Sequence, residues 1–453
     1  MWPTAEVIKA VGGTAYRVER ESFASISTDT RTIGKGDLYI PLTGANFDGH
    51  FFVEQAYEAS LGGALCEKGR EEIYKKVKGT VILVENTVQA LLDLARWKRQ
   101  TLTGTCIAIT GSNGKTTTKE ILVDMMKRSF SVAYNEKNFN NLIGVSKSIL
   151  SIEGQPQVLV FELGTNSPGE IKALARTTLP DCSLITNINP SHLEGLFDVE
   201  GVLAEKLDLF HSTREGGKVF INADDPYLAA AYQETGRETC VYGIAREAPF
   251  HLRVDRDLGW VGSEITLTFP GAEIRAVTRL LGTHNLYNIL AASAIAYSAG
   301  LGADAIGQTI ETFRPFSMRF TVKKSPRGFT VVDDTYNANP ASMEWAIRTL
   351  ESLPCQGKRL AVLGDMRELG EKSAFYHREL GRFLKGTSLP VIALVGESMK
   401  EAYVELGADR ARLFSDKAAL ITYVEGALEE GDVILVKGSR AAKMEEIVEA
   451  LIS

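Results

Sequence analysis

Ile107-Ala-Ile-Thr-Gly-Ser-Asn-Gly-Lys-Thr-Thr117 reads as an apolar strand that runs into a glycine-rich turn and opens a helix. In such a turn, successive backbone N–H groups and a helix N-terminus wrap a polyphosphate. Lys115 can reach the β/γ oxygens, and the Thr116 hydroxyl offers a ligand for Mg²⁺. The general spacing, G-x-x-x-x-G-K-[ST], would put its first glycine at position 109; Ile109 stands there and Gly111 follows, so the loop is a shortened variant. The alternative is a left-handed glycine turn with an incidental lysine, and the strand before it and helix after it argue against that.

The same rhythm extends outward. Short apolar runs at 105–109, 158–162, 182–187 and 218–222 alternate with helical patterns, which predicts an α/β protein with a doubly wound parallel sheet. Upstream, residues 1–100 mix short strands (38–41, 81–84) with helical stretches and close on a helix over 89–99. Between 245 and 282 the period falls to two, as in 264–269, which suggests an antiparallel insert, and a helix over 285–299 follows. After Phe313-Arg314-Pro315 a second α/β block begins, with strands predicted at 329–333, 359–363, 391–395 and 433–437. Pro340 sits where a first helical turn should start. Three blocks result: 1–100, 101–313 and 314–453.

The chain has 453 residues, and its charge balance of 50 − 57 = −7 gives no field that would recruit nucleic acid or an anionic membrane. Any phosphate must be held locally. No run reaches the roughly 18 apolar residues of a membrane span. The start, MWPTAEVIKAVGG, lacks a basic region followed by an apolar one, so the mature chain is expected to begin here. The five cysteines (Cys66, Cys106, Cys182, Cys240, Cys355) lack CxxC spacing, which fits reduced residues in a cytosolic protein with neither a disulfide framework nor a cysteine metal site.

Three residues beyond the loop attract chemistry. Glu162 ends the apolar run 158–162, at the carboxyl end of a strand where open α/β sheets bind ligands; it reads as a Mg²⁺ ligand or as a cap or ion-pair partner. His192 follows the run Thr186-Asn-Ile-Asn-Pro-Ser and could be structural or catalytic. Lys206 shares a helix face with Val199, Val202, Leu203, Leu207 and Phe210, so its stem points inward. It either snorkels out or is buried with a depressed pKa and available for chemistry.

Together these residues resemble the Mur ligase family of ATP-dependent amide-forming ligases, over essentially the whole chain. Matching stretches include Ser27-Thr-Asp-Thr-Arg31, Asn46-Phe-Asp-Gly-His50, Thr110 to Thr117, Asn138-Phe-Asn-Asn-Leu-Ile-Gly144, Glu162-Leu-Gly164 and Pro190-Ser-His-Leu-Glu194. Others are Gly282-Thr-His-Asn-Leu-Tyr-Asn288, Asp334-Thr-Tyr-Asn-Ala-Asn-Pro340, Leu363-Gly-Asp-Met366 and Lys437-Gly-Ser-Arg440. The resemblance implies three domains: an N-terminal UDP-substrate domain, a central P-loop-type parallel sheet and a Rossmann-like C-terminal domain. The Tyr336-Asn-Ala-Asn-Pro340 run points within the family to the branch that adds D-alanyl-D-alanine to UDP-N-acetylmuramoyl-tripeptide.

Carried over by residue, the resemblance implies that Gly111, Ser112, Asn113, Gly114, Lys115, Thr116 and Thr117 hold ATP. Asn285 would contact adenine, Asp334 ribose, and Arg319 the phosphates. Thr116, Glu162, His192 and Lys206 would surround two Mg²⁺ ions, with Lys206 N-carbamoylated by carbon dioxide. Lys115, His192, Lys206 and Arg319 would be catalytic. Substrate contacts would come from Ser27, Asp29, Thr30, Arg31, Asn46, Phe47, Asp48, His50, Asn138 and Asn141 for the UDP-linked peptide, and from Tyr336, Asn337 and Asn339. A monomeric cytoplasmic enzyme, with no nucleic-acid partner and no membrane insertion, is expected. Two departures stand out: Ser146 where the family often has proline, and Ala441-Ala442 where it has Gly-Met. The rivals are a sister ligase adding the third residue, a folylpolyglutamate-type ligase, and a P-loop regulatory ATPase. The last is disfavoured because no N-K-x-D motif is present.

Overall fold

The computed structural model describes residues 1–44, 47–136, 138–231 and 236–453, and the chain divides into two compact units. The first comprises residues 1–108, 132–163 and 170–181. Its five-stranded sheet runs in the order Thr14–Arg17, Thr80–Val84, Gly63–Glu67, Leu38–Tyr39, Ile26–Ser27. Only the Thr14–Arg17 edge is antiparallel. The strand predicted at 38–41 narrows to Leu38–Tyr39, because Ile40 pairs onward only through a single bond to Ser27 O. Phe23, Leu38, Leu65, Ile82, Leu91 and Leu94 form the apolar core beneath it, the last two from the helix Thr87–Gln100. Val132–Tyr134 and Val158–Glu162 pair in parallel, joined through the helix Leu142–Leu150. Ser146, inside that helix, is buried and returns its hydroxyl to Leu142 O at 2.7 Å.

The second unit comprises residues 109–131, 164–169 and 182–453. Cys182–Ile185, Lys218–Asn222, Glu238–Gly243 and Phe250–Asp257 run parallel. The expected antiparallel insert follows as Phe250–Asp257, Ser263–Phe269 and Ala272–Thr278. A second sheet has the order Thr321–Lys324, Thr330–Asp334, Val433–Lys437, Arg359–Gly364, Val391–Val395, Ala411–Phe414, parallel except at its first strand. The last parallel strand in sequence is thus inserted between the first two, which creates a switch point at Asp334 and Lys437, paired in register at the carboxyl ends. Pro340 opens the helix Pro340–Ser352, with Asn339 and Ser342 completing a reciprocal cap. One apolar cluster runs from Ile185, Leu193, Val202 and Phe210 to Met343, Leu369 and Leu435. No described helix is long and apolar enough to cross a membrane.

Candidate active site

The strand expected at 182–187 stops at Ile185, because the residues after it leave the sheet to hold the glycine-rich loop. Thr186 donates to Asn113 O at 2.5 Å, and Asn113 N donates to Asn187 Oδ1 at 3.0 Å. Ser112 N reaches Asn187 O, Ser112 Oγ reaches Asn189 O, and Ser191 Oγ reaches Ser112 Oγ. Behind them Asp225 accepts from Ile188 N at 2.8 Å. This tether explains both glycines. A Cβ on Gly111 (φ +143°) would lie 1.9 Å from Thr186 Oγ1, and one on Gly114 (φ +81°) would lie 2.2 Å from Asn288 Oδ1. The helix begins at Lys115, so Lys115, Thr116 and Thr117 occupy the first turn, where N–H groups lack helical acceptors. Lys115 Nζ donates to Gly111 O at 2.6 Å, folded over its own loop.

Lys206 lies in the helix Val199–His211, started by Asp198, which accepts from Gly201 N. It is 1% exposed, so the inward reading of its stem holds. Burial, and then the charge of Lys115, push its amine well below the ordinary lysine range, against a smaller pull from Glu205. The Glu205 carboxylate accepts from Thr165 Oγ1 at 3.1 Å and Gly169 N at 2.6 Å. Burial and the Lys115 charge thus both disfavour the protonated form of this amine.

His192 adopts a left-handed conformation (φ 54°), and its Nδ1 stands 2.7 Å from Glu368 Oε2. Burial lowers its pKa, with Lys115 and Lys206 acting the same way and Glu368 opposing them. Arg319 Nη2 donates to Thr116 Oγ1 at 3.1 Å while its guanidinium lies 4.0 Å from the centre of the Tyr336 ring. Asn339 Nδ2 donates to Asn113 Oδ1 at 2.8 Å. Residues from beyond Pro315 thus close on the glycine-rich loop. Asp334 accepts from Phe320 N and, at 2.6 Å, from Lys437 Nζ, which also donates to Asn337 O. Asn285 donates to Leu281 O and accepts from Asn288 Nδ2.

Within the first unit, Glu162 accepts from Asn140 Nδ2 at 2.8 Å, and its backbone is clasped by the Asn135 amide. Asn141 caps the helix Leu142–Leu150, while Asn138 is exposed. Arg31 forks onto Asp29 at 2.9 and 2.7 Å, and Ser27 Oγ donates to Asp29 O. That fork holds the Asp29 carboxyl well below the usual carboxylate range. Thr30 is partly exposed in the same turn. Phe47 is exposed and stacks on Phe52 at 5.5 Å. His50 is fully buried, with its ring nitrogens on Asp48 and Glu67 N, and Asp48 also takes Arg70. His50 therefore braces its loop from inside. Asn46 lies outside the described residues.

Sequence reasoning missed Asn288, which walls the loop; Lys437, which grips Asp334; and Glu368. The first two sat inside recognised motifs, where the helical and strand-end positions were a usable signal. Glu368 left no local signal. Among the described residues no three His, Cys, Asp or Glu side chains converge as a metal cage.

Comparison with known proteins places this geometry. Residues 109–296 match the Mur ligase middle domain and 318–440 the glutamate ligase domain of Mur ligases. The Bacillus subtilis UDP-N-acetylmuramoyl-tripeptide--D-alanyl-D-alanine ligase is 34% identical over 440 residues, covering 96% of this chain and 94% of its own. A crystal structure of MurF from Acinetobacter baumannii superposes with a TM-score of 0.91 at 27% identity, covering 100% of this chain and 98% of that one. MurF from Thermotoga maritima in complex with ADP gives 0.84 at 28% identity, with 94% and 96% covered.

Proposed function

Because the chain belongs to the Mur ligase family, an α/β fold of three domains catalysing ATP-dependent amide formation, we propose that it joins D-alanyl-D-alanine to UDP-N-acetylmuramoyl-tripeptide in cytoplasmic peptidoglycan precursor synthesis. The observation that carries the reading is the near-full-length likeness to ligases of that name, together with Asn339 of the Tyr336-to-Pro340 run seated on the phosphate loop. Residues 1–100 then serve the UDP-linked substrate, 101–313 ATP, and 314–453 the dipeptide.

A carboxylate is a poor electrophile, and condensing it with an amine in water is uphill. The tripeptide carboxylate attacks the γ-phosphorus of ATP; the bond to the β,γ-bridging oxygen breaks, leaving ADP and an acyl phosphate. The dipeptide amine then attacks the acyl carbon, phosphate departs with the C–O bond pair, and the amine loses a proton. Lys115 and Arg319 offset the charge that spreads over the transferring group, and the loop N–H groups fix its position. Asn339 and Arg319, arriving from the C-terminal block, exclude water from that charge.

Thr116, His192 and Lys206 are the residues suited to Mg²⁺, which when bound would neutralise phosphate charge. The buried, charge-repelled amine of Lys206 fits this role through carbamoylation: the neutral nitrogen adds to carbon dioxide, one proton leaves, and a cation site becomes a carboxylate. The test is a coupled assay of ADP release. Turnover is expected only with ATP, UDP-tripeptide and D-alanyl-D-alanine together. Turnover with diaminopimelate, lysine or glutamate instead would favour a sister ligase, and ATP hydrolysis without acceptor would favour a regulatory ATPase.

A further inference from the structure

The backbone around Arg319 is held in an unusual shape. Its neighbours Met318 (φ 65°) and Phe320 (φ 53°) are both left-handed, a conformation that bulky residues keep only where the surroundings over-determine it. Backbone N–H groups tie the turn down. Arg319 N donates to Phe316 O at 3.2 Å, Tyr336 N to Met318 O at 3.1 Å, and Phe320 N to the Asp334 carboxylate at 3.1 Å. Phe320 is buried in the apolar cluster that also holds Met343 and Leu363.

The side chain is held by a ring. Its guanidinium carbon lies 4.0 Å from the centre of the Tyr336 ring, a distance open only over the face, because the ring hydrogens keep an in-plane neighbour further out. Nη2 donates to Thr116 Oγ1 at 3.1 Å, in the first turn of the helix Lys115–Met126. Tyr336 belongs to the run that also seats Asn339 on Asn113 Oδ1 at 2.8 Å. Among the described residues no Asp or Glu stands within ion-pair distance of Arg319. A carboxylate would hold the guanidinium by taking its donors and offsetting its charge. A ring face holds it through the π-cloud and leaves the N–H edge open to an anion.

We infer that Tyr336 is a positioning residue, whose ring face fixes the Arg319 guanidinium beside the phosphate loop and keeps its charge and donors for the phosphoryl group in transit. An unstacked arginine would have to freeze its rotamers as the charge develops, whereas a stacked one is arranged beforehand. The role lies in the ring and not in the phenol hydroxyl, so it differs from the substrate contact that the family resemblance implies. For the reaction it serves, the inference rests on the ligase reading; the stacking does not.

The test uses the full-length chain with carbon-13- and nitrogen-15-labelled arginine, the Arg319 signals being assigned by their loss in Arg319→Lys. In wild type the Arg319 side-chain protons are expected upfield of those of exposed arginines, because a ring shields nuclei above its face. Tyr336→Leu should abolish that shift and lower kcat by about 10- to 100-fold. Calorimetric affinity for ADP, which lacks the transferring group, should stay within about twofold of wild type. Tyr336→Phe keeps the ring face, so it should restore the shift and most of the lost kcat. An unchanged shift in Tyr336→Leu overturns the inference. So does a phenylalanine variant that keeps the shift but matches leucine in kcat, or an ADP affinity that falls along with kcat. Since the shift is read without turnover, a wild-type chain that forms no amide would refute the ligase reading and leave the stacking result standing.

Discussion

His284 offers a pH test whose sign and size both follow from its surroundings. It lies in the first turn of the helix Thr283–Ser298, its ring stacked on Trp345 at 5.9 Å and edge-on to Phe320 at 6.4 Å. Its Nδ1 is shut off from water without a hydrogen-bond partner. Burial pushes its pKa from 6.5 down to about 4, Asp334 pulling upward and Lys437 reinforcing the drop. A helix N-terminus disfavours a cation in the same direction. The folded pKa lies below the unfolded one, so between the two the unfolded chain binds more protons. Stability from the neutral ring is therefore complete above the unfolded pKa and is lost as pH falls toward the folded one. The full shift corresponds to about 3 kcal/mol, of which about 2 kcal/mol is lost between about pH 7.5 and about pH 5. The assay is urea unfolding of wild type and His284→Gln at both pH values, with the ring followed by NMR. The variant should lack about 2 kcal/mol of the wild-type pH dependence. A His284 ring that titrates at its ordinary value, or equal pH slopes for the two proteins, would refute the reasoning.

Three further outcomes are expected. Gly111→Ala forces a Cβ to within 1.9 Å of Thr186 Oγ1 at a φ of +143°, so ATP binding measured by calorimetry should weaken by at least about tenfold, while an alanine at exposed Gly426, which nothing crowds, should leave it unchanged. Lys206→Ala should lower ligation by at least about 100-fold, small carboxylates should partly restore it, and labelled bicarbonate should give a carbamate signal in wild type only; near-normal turnover in the variant would remove the carbamate. Asn339→Ala removes both a helix cap and the bond to Asn113, so the thermal midpoint should fall by the equivalent of about 1 kcal/mol and KM for ATP should rise, and a variant changed in neither would show that the contact is idle.

Four strands that sequence alone placed to the residue share one property. Val158–Glu162, Lys218–Asn222, Val391–Val395 and Val433–Lys437 are strands buried on both faces, so their apolar runs begin and end where the strands do. Lys206 was legible for a related reason: a helix of period 3.6 with one apolar face leaves no doubt about which way a residue on that face points. Strands that lack this double burial escaped. Thr321–Lys324 is an edge strand of alternating partly buried and exposed residues, and Glu238–Gly243 begins exposed.

What the site needs beyond its motifs follows a different physics. The short loop 111–114 holds its shape through side-chain amides and hydroxyls at 186–191, and these residue types are as common in ordinary turns as in built ones. Their meaning depends on which backbone groups lie opposite, and that is fixed only after the sheet has formed. The pairing of His192 with Glu368 carries the same dependence further, because it requires two separate blocks to dock before either loop acquires its partner. Local pattern therefore reveals the glycine-rich loop proposed to bind phosphate, whereas the groups packed against it are set by long-range packing. It follows that Gly111→Ala should weaken nucleotide capture and, because the same loop is proposed to position the transferring group, turnover as well.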